Sequence, residues 1–405
     1  MKILFVVPYA PTRVRVRPYN LIRALVARGH EVTLAAPWVT EDDRRALEDL
    51  RPLCSQMAVV HLPTWRSWLN CLRALPTRAP LQAAYSWSGE LARSAAALAK
   101  QADVVHVEHL RASAYALAIR SGRAAGASNP PIVWDSVDCI SLLFRQAGRH
   151  SKDPLRRVFM HFETSRTERE ELRLVSAFER TLVTSPLDKQ ALVGLGDGDS
   201  STERISVVPN GVDLNYFRPS DSIEREPATL VLSGKLSYHA NAAMVTGFVR
   251  EVLPLIRLRR PDVRVCVVGK DPSREVLALR HEPGVDVAGT VPDLRPFLQS
   301  ATLAVAPIPY GVGIQNKVLE AMACATPVVA SPQAASALEA EPDRDFIVSH
   351  GAQATAGAVL GLLGEPYRRA ALGWAGRRYV ESRHDWGSIV ARLEDTYHEV
   401  IRNGR

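Results

Sequence analysis

Short apolar runs, rich in β-branched residues, recur along the chain, and each is followed by a longer stretch in which apolar residues return every three or four positions. The first pattern suits a strand buried on both faces and the second an amphipathic helix. In the first half the runs fall at 2–7, 31–36, 57–62, 103–107, 132–135 and 181–185. In the second half they fall at 228–234, 263–269, 285–288, 303–307 and 328–331. Strands alternating with helices predict parallel sheets with helices on both faces, so the predicted fold class is α/β with two doubly wound parallel-sheet domains facing a cleft.

The turn Pro209-Asn210-Gly211 and the polar stretch 220–227, bracketed by Pro219 and Pro227, separate the two blocks. The boundary is expected near residue 222, giving an N-terminal domain at 1–221 and a C-terminal domain at 222–383. Beyond residue 352 the pattern is helical, with Trp374, Tyr379, Trp386, Leu393 and Tyr397 on helical spacings. The last segment, 384–405, is expected as a helix that packs on either domain or crosses back to the first.

Composition narrows the setting. No run reaches the ~18 apolar residues of a membrane span. The opening apolar run turns to Tyr9-Ala10-Pro11 and then to arginines, so it reads as a strand in place of an export signal. The five scattered cysteines lack a C-x-x-C pair and fit a reducing cytoplasm. A net charge of +7 favours anionic partners. Its arginines are dispersed without an aromatic and basic platform, which weighs against nucleic acid.

Most of the candidate chemistry lies at 306–331, which reads strand, glycine loop, helix, turn, strand. Gly311 and Gly313 let the loop backbone approach a ligand, and Ile314-Gln315-Asn316 leads into a helix whose unpaired N–H groups and positive dipole end suit a diphosphate. Lys317 and Glu320 lie three apart on one helix face. Either they grip phosphate and ribose, or they form an ordinary surface ion pair.

The run Gly313-Ile314-Gln315-Asn316-Lys317-Val318-Leu319-Glu320, continuing to Thr326-Pro327-Val328-Val329-Ala330-Ser331, resembles the donor-site signature of family 4 glycosyltransferases. The segments 207–217, 289–307 and 29–34 are similar to other stretches of that family. The resemblance implies the GT-B arrangement of two Rossmann-like domains and transfer of a hexosyl unit from a UDP- or GDP-sugar to an acceptor hydroxyl on a glycan, lipid-linked or small molecule, with retention. It implies no metal and no cofactor, the nucleotide sugar being a co-substrate. Glu320 would bind the ribose, whereas the glutamate that relatives often carry eight positions earlier is Val312 here. Lys317 would be the principal phosphate cation, and Gly234, Lys235, His239 and Asn241 would stand where many relatives hold the diphosphate. Lys270 and Val291 would lie near the base.

In the first domain, relatives bring a histidine or acid just past the fourth strand to the transferred sugar, which points to His109 and then Glu108, while His106 within the strand reads as core. Arg13, Arg15 and Arg17 follow the first strand and would suit a phosphate on the acceptor. Asp135 and Asp138 either receive an acceptor hydroxyl or, with Ser136, cap the next helix. Rival readings are a nucleotide-sugar epimerase or hydrolase, and a non-catalytic sugar-nucleotide binder. Finally, Trp65, Trp68, Leu69, Leu72 and Leu75 form an apolar stripe with Arg66 and Arg73 beside it. Core packing is the commoner fate of such a stripe, and peripheral contact with the inner membrane face is the alternative.

Overall fold

The computed structural model describes residues 1–12, 15–122, 130–150, 153–196 and 202–404. The first sheet holds β1 (Lys2–Val6), β2 (Glu31–Trp38), β3 (Gln56–His61), β4 (Val104–Glu108), β5 (Ile132–Val137), β6 (Arg180–Val183) and β7 (Ile205–Val207). Their order is β3-β2-β1-β4-β5-β6-β7, with every pairing parallel. The second holds β8 (Thr229–Ser233), β9 (Arg264–Val268), β10 (Val285–Gly289), β11 (Leu303–Ala306), β12 (Val328–Ala330) and β13 (Ile347–Val348). It too is parallel throughout, in the order β10-β9-β8-β11-β12-β13. The strands β7, interrupted by Ser206, and β13, of two residues, do not show as apolar runs.

The helices that carry or support the candidate residues are α1 (Val16–Ala27), α2 (Thr64–Ala74), α3 (Ile140–His150), α4 (Pro154–Ala177), α5 (His239–Gly247), α6 (Asn316–Ala323) and α7 (Trp386–Asn403). Alternation along β1 splits the first core in two, with Leu4 and Val6 on one face of the sheet and Ile3 and Phe5 on the other.

The chain divides into two compact units, Met1–Pro209 with Trp386–Arg405, and Asn210–Asp385. The division falls after Pro209, not near residue 222, because hydrogen bonds tie the intervening segment to the second unit. Val212 N–H donates to the His384 carbonyl at 2.8 Å, His384 Nδ1 donates to the Asn210 carbonyl at 2.7 Å, and Arg377 donates to the Phe217 carbonyl at 2.8 Å. The helix α7 belongs to the first unit, where Trp386, Ile389, Val390, Leu393, Tyr397 and Val400 share a core with Ile3, Phe5, Leu21 and Ile22.

In each sheet the strand order reverses once, between β1 and β4 and between β8 and β11. At such a reversal the connecting helices leave in opposite directions, so a crevice opens beyond the carboxyl ends of the two strands. Most of the expected site residues lie at or just past the carboxyl ends of these strands, while Asp135 and Asp138 lie at the end of β5, Lys270 after β9 and Val291 after β10. Among the described residues no helix is long and apolar enough to cross a membrane.

Candidate functional site

In the second unit, three loops at the carboxyl end of the sheet are stitched side by side. Leu236 N–H donates to the Lys270 carbonyl at 2.8 Å, and Asp271 N–H donates to Thr290 Oγ1 at 3.0 Å. The stretches bearing Gly234 and Lys235, Lys270, and Val291 are thereby fixed together. Gly269 makes this packing feasible, since a β-carbon there would lie 1.8 Å from the Gly234 carbonyl oxygen. The side chains of Lys235 and Lys270 are exposed, and Val291 is half-buried.

Beside them lies the loop from β11 into α6. Gly313 takes φ +64°, a left-handed conformation that favours glycine, whereas Gly311 is not left-handed. Ile314 and Val312 are buried. Gln315 occupies the N-cap of α6 in extended conformation without capping the helix by its side chain. Instead Gln315 Nε2 donates to the Val312 carbonyl at 3.2 Å, and Gln315 Oε1 accepts from Lys317 Nζ at 2.8 Å. Asn316 Oδ1 accepts from Asn210 Nδ2 at 3.4 Å.

Lys317 reaches across to the loop after β8, where a β-carbon on Gly234 would meet its Cε at 3.2 Å and Asn241 Nδ2 at 2.9 Å. The two loops that flank the β8/β11 reversal therefore meet at Lys317. Burial pulls the Lys317 ammonium down to about 8 against the support of Glu320. Burial likewise pushes the Glu320 carboxyl up to about 7, against Lys317. The Glu320 carboxylate makes no hydrogen bond or ion pair among the described residues, so the two do not form an ordinary surface ion pair. Asn241 donates to the Lys235 carbonyl at 3.0 Å and leaves its buried Oδ1 without a partner among the described residues. His239 opens α5 and pairs with Tyr310 Oη at 2.7 Å, the rings stacked. This corner thus holds a partly buried cation, an uncapped helix start and, among the described residues, a partnerless carboxylate.

In the first unit a second cluster sits where β1, β4 and β5 end. Tyr9 Oη donates to Glu108 Oε1 at 2.6 Å, and the other carboxylate oxygen is buried without a partner among the described residues. Burial, reinforced by the charge of Asp135, pushes Glu108 up to about 8. His109 turns the chain out of β4 at φ +67°, a strained conformation for a residue with a side chain. Its Nδ1 accepts from Arg111 N–H at 3.2 Å, which places the ring proton on Nε2 as a donor. Burial, with Arg111 nearby, drives its pKa down to about 3, so the ring is neutral at ordinary pH.

Other expectations in this unit are corrected. Arg17 and Asp135 do not await an acceptor: their side chains are 4% and 0% exposed and joined at 2.7 Å in a buried ion pair. Burial alone would raise the Asp135 pKa, but Arg17 and His106 outweigh it and hold it below the ordinary value. Arg15 is drawn into its own loop, donating to the Ala10 carbonyl and pairing with Asp43, both at 3.1 Å. Arg13 lies outside the described residues.

Asp138 accepts from Thr184 Oγ1 at 3.2 Å, and burial with the charge of Asp188 pushes it up to about 7. Neither it nor Asp135 caps α3. That start is held from elsewhere, by Glu171 on Ile140 N–H at 2.7 Å and by Asp188 on Cys139 N–H at 2.9 Å. His106 is fully buried, stacked on Phe5 and bonded to Tyr397 Oη at 2.8 Å. Residue patterns missed Tyr9, Arg111 and Tyr310. Their one sequence signal is a polar aromatic or basic residue just past a strand end.

Both halves of the chain match glycosyltransferase family models. Residues 14–216 match the family described as Glycosyltransferase Family 4, just over half of the chain, and residues 227–365 match Glycosyl transferases group 1. The chain belongs to glycosyltransferase family 4. Among this family 4 member's relatives is D-inositol 3-phosphate glycosyltransferase 2 of Catenulispora acidiphila, 28% identical over 256 residues, 58% of this chain and 59% of that one. Another is the phosphatidyl-myo-inositol mannosyltransferase of Mycolicibacterium smegmatis, 30% identical over 211 residues, 49% of this chain and 52% of that one. The family 4 chain thus spans at most about three-fifths of the length of these curated relatives. Its fold is shared with sucrose-phosphate synthase from Thermosynechococcus elongatus, at TM-score 0.72, 16% identity and 100% coverage of both chains. It is also shared with Anabaena HepE in complex with UDP, at TM-score 0.68, 17% identity, 98% of this chain and 100% of that one.

Proposed function

We propose that this family 4 chain transfers a hexosyl unit from a nucleoside diphosphate sugar to an acceptor hydroxyl, with retention at the anomeric carbon. The observation that carries the donor reading is the β8/β11 corner, where Lys317 and the uncapped start of α6 face a loop that closely packed glycines keep open. In the reaction the bond from the anomeric carbon to the diphosphate oxygen breaks, the acceptor oxygen takes its place, and the acceptor's hydroxyl proton is released. Lys317 and the first N–H groups of α6 stabilise the charge that gathers on the departing diphosphate, an electrostatic contribution that needs no metal. Glu320 is free to accept from the ribose hydroxyls.

On the acceptor side, the neutral His109 offers an Nε2–H donor, and Glu108, with a pKa of about 8, is poised near neutrality to give or take a proton. Acceptors built on an inositol or its phosphate are the first to try, because two relatives are named for inositol-containing acceptors. UDP is the first nucleotide to try, by analogy with the HepE complex.

The test is a melting screen with UDP, GDP and ADP and their sugars, followed by turnover with and without acceptor. A true donor raises the melting temperature in step with its concentration, by about 2.7 kcal/mol of stability at a hundred times Kd. Donor consumed only when acceptor is present supports transfer. Equal consumption without acceptor would assign the chain to hydrolysis or epimerisation, and tight binding without turnover to a non-catalytic binder.

A further inference from the structure

The helix α2 is amphipathic with its sides exchanged. Its small and polar positions face the protein: Ser67 and Ala74 are buried, and Asn70 Nδ2 donates to the Trp87 carbonyl at 2.9 Å. Its large apolar positions face out, with Trp65 and Trp68 each 63% exposed and Leu72 and Leu75 exposed after them. A second exposed stripe runs along the start of α4, with Leu155 80% exposed and Val158, Phe159 and Phe162 beyond it.

The two stripes converge on Arg166. Its guanidinium lies 4.7 Å from the Phe162 ring and donates at 2.6 Å to the Ala74 carbonyl, next to Leu75. A further bond from Leu81 N–H to Glu163 at 2.9 Å fastens the segment after α2 to α4. The aromatic exposure therefore belongs to an anchored surface.

The charges around this surface are predominantly basic, although an exposed Asp153 caps the start of α4. No acidic residue occurs between Asp49 and Glu90, a stretch that holds Arg51, Arg66, Arg73 and Arg78. The last three are exposed, as is Arg157 on α4. The first acid on α4, Glu163, is buried against Arg166 at 3.1 Å. A second copy docking here would bring like charges together.

We propose that the face formed by α2 and the start of α4 binds the surface of a phospholipid bilayer rich in anionic headgroups, with Trp65 and Trp68 seated at the interface and the arginines on the headgroups. Tryptophan, apolar at one end and hydrogen-bonding at the other, prefers that depth, and arginines let their stems lie on the apolar layer while their heads stay in water.

The test is co-sedimentation of the full chain with vesicles of phosphatidylcholine alone and of equal parts phosphatidylcholine and phosphatidylglycerol. Binding is expected to the anionic vesicles, to weaken with salt, and to fall by more than roughly tenfold in Trp65→Ser/Trp68→Ser. Arg73→Ser and Arg78→Ser are each expected to weaken it by about fivefold. All these positions are exposed, so unchanged melting temperatures and unchanged nucleotide binding establish that the variants remain folded and that the donor site is untouched. Equal binding to both vesicle types, no binding to either, or indifference to the tryptophan pair overturns the proposal. So does concentration-dependent self-association that the tryptophan substitutions abolish.

Discussion

Lys317 is held below its ordinary pKa by the same burial that makes its charge effective on a phosphate. In the free protein it loses its proton near pH 8, so kcat/KM is expected to fall above about that pH. Lys317→Met should lower turnover roughly a hundredfold, by analogy with loss of a single oxyanion donor, in an assay at saturating donor. Undiminished turnover removes Lys317 from the mechanism.

Glu320 behaves in the opposite sense. With a folded pKa of about 7 against 4.5, the folded state holds an extra proton between those values, and stability falls as pH rises through that window. Glu320→Gln abolishes the loss, so its melting temperature should gain on the unsubstituted protein between pH 4.5 and 7, while nucleotide binding weakens. A pH-independent difference between the two melting curves would contradict this. The Arg17–Asp135 pair is structural, and Asp135→Ala strands a buried guanidinium at a cost of about 3–5 kcal/mol in urea unfolding. Replacing both residues by apolar ones is expected to cost less.

Among the elements, α6, like α5, starts without a side-chain cap. Ser273 and Ser331 cap the helices that follow them in this unit, whereas Gln315 caps nothing. Gln315→Asp would supply the cap, adding about 1 kcal/mol to the ligand-free protein. The same carboxylate would compete with a diphosphate for the first N–H groups, so nucleotide affinity in a titration should drop even as the melting temperature rises.

Elements are also where sequence reasoning reached furthest. Two-sided burial writes parallel strands as apolar runs, and this made eleven of the thirteen described strands legible. The remaining two were not legible, because Ser206 interrupts the apolar run of β7 and β13 spans only two residues. Periodicity located the stripe on α2 but not its direction, because spacing defines a helix face without saying whether protein or solvent lies beside it. Lys317 and Glu320 were legible because one helix turn brings them together. The pairing of Arg17 with Asp135, 118 residues away, depends on the strand order that sets β1 and β5 on either side of β4.

At the scale of the molecule, the chain visits the first unit, builds the second and then returns. The returning helix α7 supplies six buried apolar side chains to the first core. At about 1.5–3 kcal/mol each their burial is worth roughly 9–18 kcal/mol, comparable to the whole stability of a domain. A chain ending at Asp385 is therefore expected to lose the first unit, read as loss of its cooperative melting transition, while nucleotide binding by the second survives. A truncated chain that melts with both transitions intact would show α7 to be dispensable.

The same return has a consequence for how the protein is made. Trp386 and the residues after it emerge from the ribosome roughly 10–40 s later than Pro209, at ordinary elongation rates of about 5–20 residues per second. During that interval the half synthesised first stays open along one side of its sheet, below His106, until Tyr397 arrives to close it. The first unit is therefore completed only after the second has been synthesised, and the nascent chain needs shielding there until α7 emerges.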